Sequence, residues 1–138
     1  MSSSDLTVRL ATLEPFVLSI LRIVAGFLFL QFGTAKLFGW PGAMLPNGGT
    51  FPLMTQPGIA GLLESVGGPL MLVGLFTRPV AFILCGEMAF AYFIGHAPKG
   101  FWTAFNGGTE AVLFCFVWLY FVFAGPGPWS LDAMLRRR

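Results

Sequence analysis

The 138 residues are 56% hydrophobic and only 10% charged, with eight Lys and Arg against six Asp and Glu. An ordinary soluble domain is roughly 25% charged, so this composition excludes a soluble globular chain and predicts a protein that lives in the bilayer. No nucleic-acid partner is expected.

Apolar runs divided by Gly, Pro and charge cover about residues 15–38, 57–76, 79–95 and 108–124. Each approaches the ~17–25 residues that a helix needs to cross the hydrocarbon. The last three are near the short end, which tilt or snorkelling flanks accommodate. The prediction is all-α: one domain over 1–138, an integral membrane four-helix bundle. The first run follows a mixed polar opening and is too long for the core of a cleaved signal peptide. It reads as an anchor helix beginning at Glu14-Pro15, where proline suits the first turn, and running past Lys36. From Gly39 to Gly58 the chain is rich in Gly and Pro and carries no charge, with Trp40 placed to sit at headgroup depth. Thr77-Arg78-Pro79 makes so short a turn that the second and third helices must be antiparallel neighbours. The connection His96 to Gly107 holds Lys99, Trp102 and Asn106, and Gly125-Pro126-Gly127-Pro128 stops the fourth helix before a short amphipathic tail. Arg9, Arg78, Arg136, Arg137 and Arg138 fall on one side and Lys36 and Lys99 on the other. By the positive-inside rule both termini are expected in the cytoplasm of a bacterial inner membrane.

Each run contains one glutamate or arginine: Arg22, Glu64, Glu87 and Glu110. Charge at membrane depth is expensive and marks a functional hypothesis. Arg22, Gly26, Phe29, Gly33 and Lys36 share one stripe of the first helix, and Ala60, Glu64, Gly67, Met71 and Gly74 share one stripe of the second. Small residues let helices approach closely in lipid, so the stripes read as a matched pair with charges turned inward. At ~1.5 Å per residue the four charges are expected to meet near the middle. Arg22 is then within reach of Glu87 or Glu64, and Gln31 and Lys36 are better placed for Glu110, giving two linked polar layers. Two readings stay open: buried ion pairs that fix helix register, or a centre whose excess carboxylates hold or relay a proton.

Other chemistry is weaker. A di-iron bundle needs paired Glu-x-x-His repeats, and His96 is alone, so no metal is expected. The glycine pairs lack the strand and lysine of a phosphate loop. Cys85 and Cys115 fall in the third and fourth runs without a C-x-x-C motif and read as small apolar residues, with a redox role open because their helices are candidate neighbours. Phenylalanines such as Phe29, Phe90 and Phe114 read as packing or lipid contacts, with an aromatic slot for a flat ring as the lesser reading.

The pattern Arg22-x3-Gly26-x6-Gly33-x2-Lys36, then Glu64-x2-Gly67-Gly68-x5-Gly74-Leu75-x-Thr77-Arg78, then Gly107-x2-Glu110 and Gly125-Pro126-Gly127, resembles the DoxX family of small bacterial membrane proteins. The likeness runs from about Leu18 to Leu131. It implies a four-helix membrane protein related to the small subunit of thiosulfate:quinone oxidoreductase, and it marks Arg22, Lys36, Glu64, Arg78 and Glu110. The expected site therefore comprises Glu64, Glu110 and Arg22 for proton handling and charge balance, with Gln31, Lys36, Glu87, His96 and Trp102 around the substrate. Arg78, Arg136, Arg137 and Arg138 would face a soluble or membrane redox partner, although the terminal arginines read first as a topology signal. The expected ligand is a quinone headgroup or a small sulfur substrate, with no covalently bound cofactor. Alternatives are a non-enzymatic anchor for a soluble redox or stress-response protein, and a small-solute or proton pathway in an oligomer. A homodimer is the expected assembly.

Overall fold

The computed structural model describes residues 2–138, which form helices and connecting loops without a strand among them. Helix α1 spans Ser3–Phe38. It starts well before the expected Glu14-Pro15 because Ser2 and Asp5 form a reciprocal capping box, each side chain holding the other's backbone N–H. Pro15 is therefore inside the helix, where it removes one backbone donor from an exposed stretch rather than ending the element. Gly39 stops α1 at φ 68°, a left-handed conformation that glycine adopts without strain.

Helix α2 covers Gln56–Val73 behind a Thr55 cap, and α3 covers Thr77–Ala91. A π turn at Tyr92–His96 and a 3-10 turn at Ala97–Lys99 prolong α3 to the far end of the molecule. Short α4 (Thr103–Asn106), α5 (Thr109–Ala124) and α6 (Leu131–Arg136) complete the chain. Helix α1 and the continuous segment Thr77–Lys99 are long and apolar enough to cross a membrane; α5 is equally apolar but shorter. In α2, Glu64 and four glycines dilute the apolar character.

Helix α1 lies antiparallel along α2, α2 packs on α3, and α3 lies antiparallel to α5. The α1–α2 contact is a backbone-on-backbone approach. A methyl group on Gly26 would stand 2.6 Å from the Leu72 nitrogen, one on Gly68 would stand 2.6 Å from the Leu30 nitrogen, and one on Gly33 would stand 2.5 Å from the Ser65 nitrogen. The stripe predicted on α1 is the one used. On α2 the surface facing α1 is Gly61, Ser65, Gly68 and Leu72, one step around from the expected stripe, whose Gly67 faces Leu84 of α3 instead.

The core forms where α1, α3 and α5 converge. Phe29 packs edge-on against Trp118 with centroids 4.8 Å apart and against Phe114 at 4.9 Å. Large apolar side chains such as Phe82, Phe90, Phe116 and Phe123 point outward and exposed, as expected of a surface solvated by lipid. Two ends result. The base carries Arg22, the α2–α3 turn and residues 125–131; the mouth carries Lys36, the 39–55 segment and the His96–Gly108 loop.

Candidate functional site

The antiparallel register of α1 and α2 brings Lys36 to the mouth end of α2. Its ammonium donates to both oxygens of Glu64, at 2.7 and 2.9 Å. Glu64 is almost fully buried, and the glycines beside it are what let a lysine stem lie across the helix face: a methyl group on Gly61 would stand 3.0 Å from the Lys36 Cβ. Glu87 of α3 lies beside Glu64, with both of its carboxyl oxygens buried.

Lys36 and Glu64 open onto a cavity of about 300 Å³ at the mouth, which His96 and Glu110 also line. Phe29, Phe32 and Phe114 form its apolar wall. His96 is oriented by its loop: Nδ1 lies 3.0 Å from the Asn106 carbonyl, which accepts from it, so in the neutral imidazole Nε2 is left as an acceptor. Asn106, buried, fixes that loop by donating to the Gly100 carbonyl and accepting from the Gly108 N–H. The site thus offers an ammonium donor, an imidazole and two carboxylates on one side and aromatic faces on the other.

The pairings differ from those expected. Arg22 does not meet Glu64 or Glu87. It is completely buried at the base, where its guanidinium donates to three carbonyls: Met71 at 2.8 Å, Trp129 at 2.6 Å, and Pro126. The antiparallel pairing sets Arg22 level with Met71 near the end of α2, where the Gly125-Pro126-Gly127 turn closes the base, rather than mid-bundle. Lys36, expected to serve Glu110, takes the carboxylate of Glu64, so the two polar layers form but are not linked. Glu110 is an exposed residue of the first turn of α5. Gln31 is half-buried and does not line the cavity. Trp102 lines a separate aromatic cavity with Phe101, Phe93 and Phe116.

At the base, Arg78 donates to the Val122 and Phe123 carbonyls at the end of α5, both at 2.7 Å. Arg136, Arg137 and Arg138 are exposed, and Arg136 lines a basal groove with Arg78, Phe76 and Asp132. Asp132 carries weight that sequence reasoning did not give it. Its carboxylate accepts from the Phe76 and Thr77 N–H groups, each at 2.9 Å, while its own N–H donates to the Gly74 carbonyl. Burial alone would raise this carboxyl, but those N–H donors and the charge of Arg136 outweigh it and hold Asp132 below the usual carboxylate range. The signal available in the sequence was Ser130-x-Asp132 after a proline-glycine turn, a helix start with an acidic first turn.

The sequence profile of the DoxX family matches residues 17–97, which hold Arg22, Lys36, Glu64, Glu87 and His96; Glu110 and the Gly125-Pro126-Gly127 turn lie beyond it. The chain is 44% identical over 124 residues to an uncharacterized protein of Haemophilus influenzae, covering 86% of this chain and 90% of that one. It is 30% identical over 142 residues to an uncharacterized membrane protein of Mycobacterium tuberculosis, covering 90% and 83% respectively. No solved structure matches it. With more than half of its length matched by the family profile and relatives aligned over nearly all of it, the chain belongs to the DoxX family of membrane proteins.

Proposed function

We propose that this chain is the membrane subunit of a quinone-linked oxidoreductase system, a four-helix inner-membrane bundle with both termini cytoplasmic, and that it binds a quinone headgroup or small sulfur substrate in the mouth cavity. The observation that carries the reading is the pair of half-buried Lys36 and buried Glu64, which forms the polar face of a cavity walled on its apolar side by Phe29, Phe32 and Phe114. The residues fit such a ring: a carbonyl oxygen would accept from the Lys36 ammonium, and the aromatic faces would stack on its plane. When bound, a quinone supplies two-electron, two-proton acceptance. Glu64 holds the lysine in place, and His96 and Glu110 stand at the mouth, where a proton can be exchanged with water.

The test is quinone content of protein purified with native lipid, measured by extraction and mass spectrometry for the parent and Glu64→Gln. Stoichiometric quinone in the parent and a loss of tenfold or more in the folded variant support the site. Equal content in both removes Glu64 from it. A second reading, an anchor that recruits a soluble redox protein through its basic tail, is favoured by the basal groove that brings Arg78 and Arg136 together. Deleting residues 136–138 would then abolish recruitment while leaving quinone content unchanged.

A further inference from the structure

Beside the aromatic cavity next to the mouth lie two groups that the proposed ligand site does not use, one of them in its wall. Cys85 of α3 and Cys115 of α5 are both free thiols, and their sulfurs lie 3.7 Å apart. The approach is fixed by the packing of the two helices. Arg78 ties the base of α3 to the end of α5, and at the mouth Tyr92 sits against Gly108, where an added methyl would stand 2.8 Å from its ring. Bonded sulfurs lie ~2.05 Å apart, so closing the pair requires the two sulfurs to move ~1.7 Å nearer each other.

Cys115 opens onto a cavity of about 460 Å³ walled by Phe93, Phe101, Trp102 and Phe116. No charged side chain lines it, so hydrated oxidants are disfavoured and a flat apolar ring is suited. Met88 and Ala111 line both this cavity and the polar one, so one layer of side chains separates the thiols from the Lys36–Glu64 site.

We propose that Cys85 and Cys115 form a dithiol–disulfide couple that delivers electrons to a ring acceptor of the quinone class in the aromatic cavity. The inference rests on the quinone class of the ligand read above, not on its seat in the mouth cavity, and adds the electron donor. In the step, two S–H bonds break and one S–S bond forms. Two electrons and two protons pass to the acceptor, whose two carbonyls become hydroxyls. The transfer is charge-neutral overall, so an apolar interior is left without a net ion.

The experiment uses the reduced full-length protein in lipid nanodiscs under nitrogen, with duroquinone as probe, because its fully methylated ring cannot be alkylated by thiols. Free thiols are counted by maleimide mass tagging after denaturation, and the hydroquinone formed is measured optically. The expected result is a fall from two taggable thiols per chain to none, one hydroquinone per chain, no cross-linked dimer, and recovery of both thiols with dithiothreitol. Cys85→Ala and Cys115→Ala should each keep their remaining thiol and yield no hydroquinone while melting like the parent. Thiols that persist in saturating duroquinone overturn the proposal, as does closure only by a diazene oxidant or a disulfide between chains. Glu64→Gln separates the two readings. Closure at the parent's stoichiometry in a variant that binds as much quinone as the parent sinks the mouth site and leaves the thiol couple standing; quinone retained by a parent whose thiols stay reduced does the reverse.

Discussion

Replacing Arg22 by methionine keeps an unbranched apolar stem and removes the guanidinium. In the parent that group is wholly buried and donates to the Met71, Pro126 and Trp129 carbonyls. Hydrogen bonds from a charged donor contribute roughly 1.5–3 kcal/mol each, but three cannot be added in full, because burying the cation itself costs several kcal/mol. Two of the carbonyls can also recover water if the closing segment lifts away; Met71, at the end of α2, stays covered. The expected loss is therefore about 1–3 kcal/mol, the range for a buried acceptor left without its donor. Arg22→Lys should lose about half of that, since an ammonium cannot match the planar fork directed at three carbonyls. Reversible unfolding in mixed micelles measures the free energy, and amide exchange over residues 125–131 shows whether the closing segment has detached. A loss under about 1 kcal/mol with unchanged exchange would refute the assignment of Arg22 as the residue that fastens the base.

Lys36→Met leaves Glu64 buried without its cation and should destabilise the chain by about 3–5 kcal/mol; adding Glu64→Met should restore most of it, and a double-mutant cycle in the same micelles reads the coupling. Gly68→Ala places a methyl 2.6 Å from the Leu30 nitrogen and should cost at least about 1–3 kcal/mol. Gly86→Ala, in α3 with nothing within 4 Å of its added methyl, should be neutral or stabilising by up to about 1 kcal/mol. Asp132 has a folded pKa below its unfolded value of ~3.9. Its contribution is therefore present above that value and disappears as pH falls through the lowered one. Proteolytic release of α6 should rise below about pH 4 in the parent and show no such step in Asp132→Asn.

Much of this architecture was legible because it follows from period and composition. The runs containing Arg22, Glu64, Glu87 and Glu110 all became helices, and α2 and α3 are neighbours as expected, although the turn is residues 74–76 and the expected Thr77-Arg78-Pro79 turn is the start of α3. Gly26 and Gly33 announced the close face of α1. What was not legible is register between helices. Which of Gly67 and Gly68 faces α1 depends on a rotation of one residue, about 100°, and both positions are glycine, so the pattern is silent. The same holds for the charges: a lysine stem reaches several partners, and the choice of Glu64 over Glu110 is made by how far α1 slides along α2. Arg22 was misplaced because its partners are carbonyls, which any residue type supplies and no sequence motif displays.

The fastening at the base also has a history. Arg22 and the carbonyls of Pro126 and Trp129 are separated by 104 and 107 positions, so the ribosome finishes the partners roughly 5–20 s after it finishes the arginine, at ~5–20 residues per second. Throughout that interval the first helix carries a cation whose final acceptors do not yet exist. Water, lipid phosphates or the insertion machinery must hold it meanwhile. Birth order is thereby written into the fold: a chain that stops short of the Gly-Pro-Gly-Pro turn can insert every apolar run and still present an uncovered arginine, a mark by which an unfinished copy differs from a complete one.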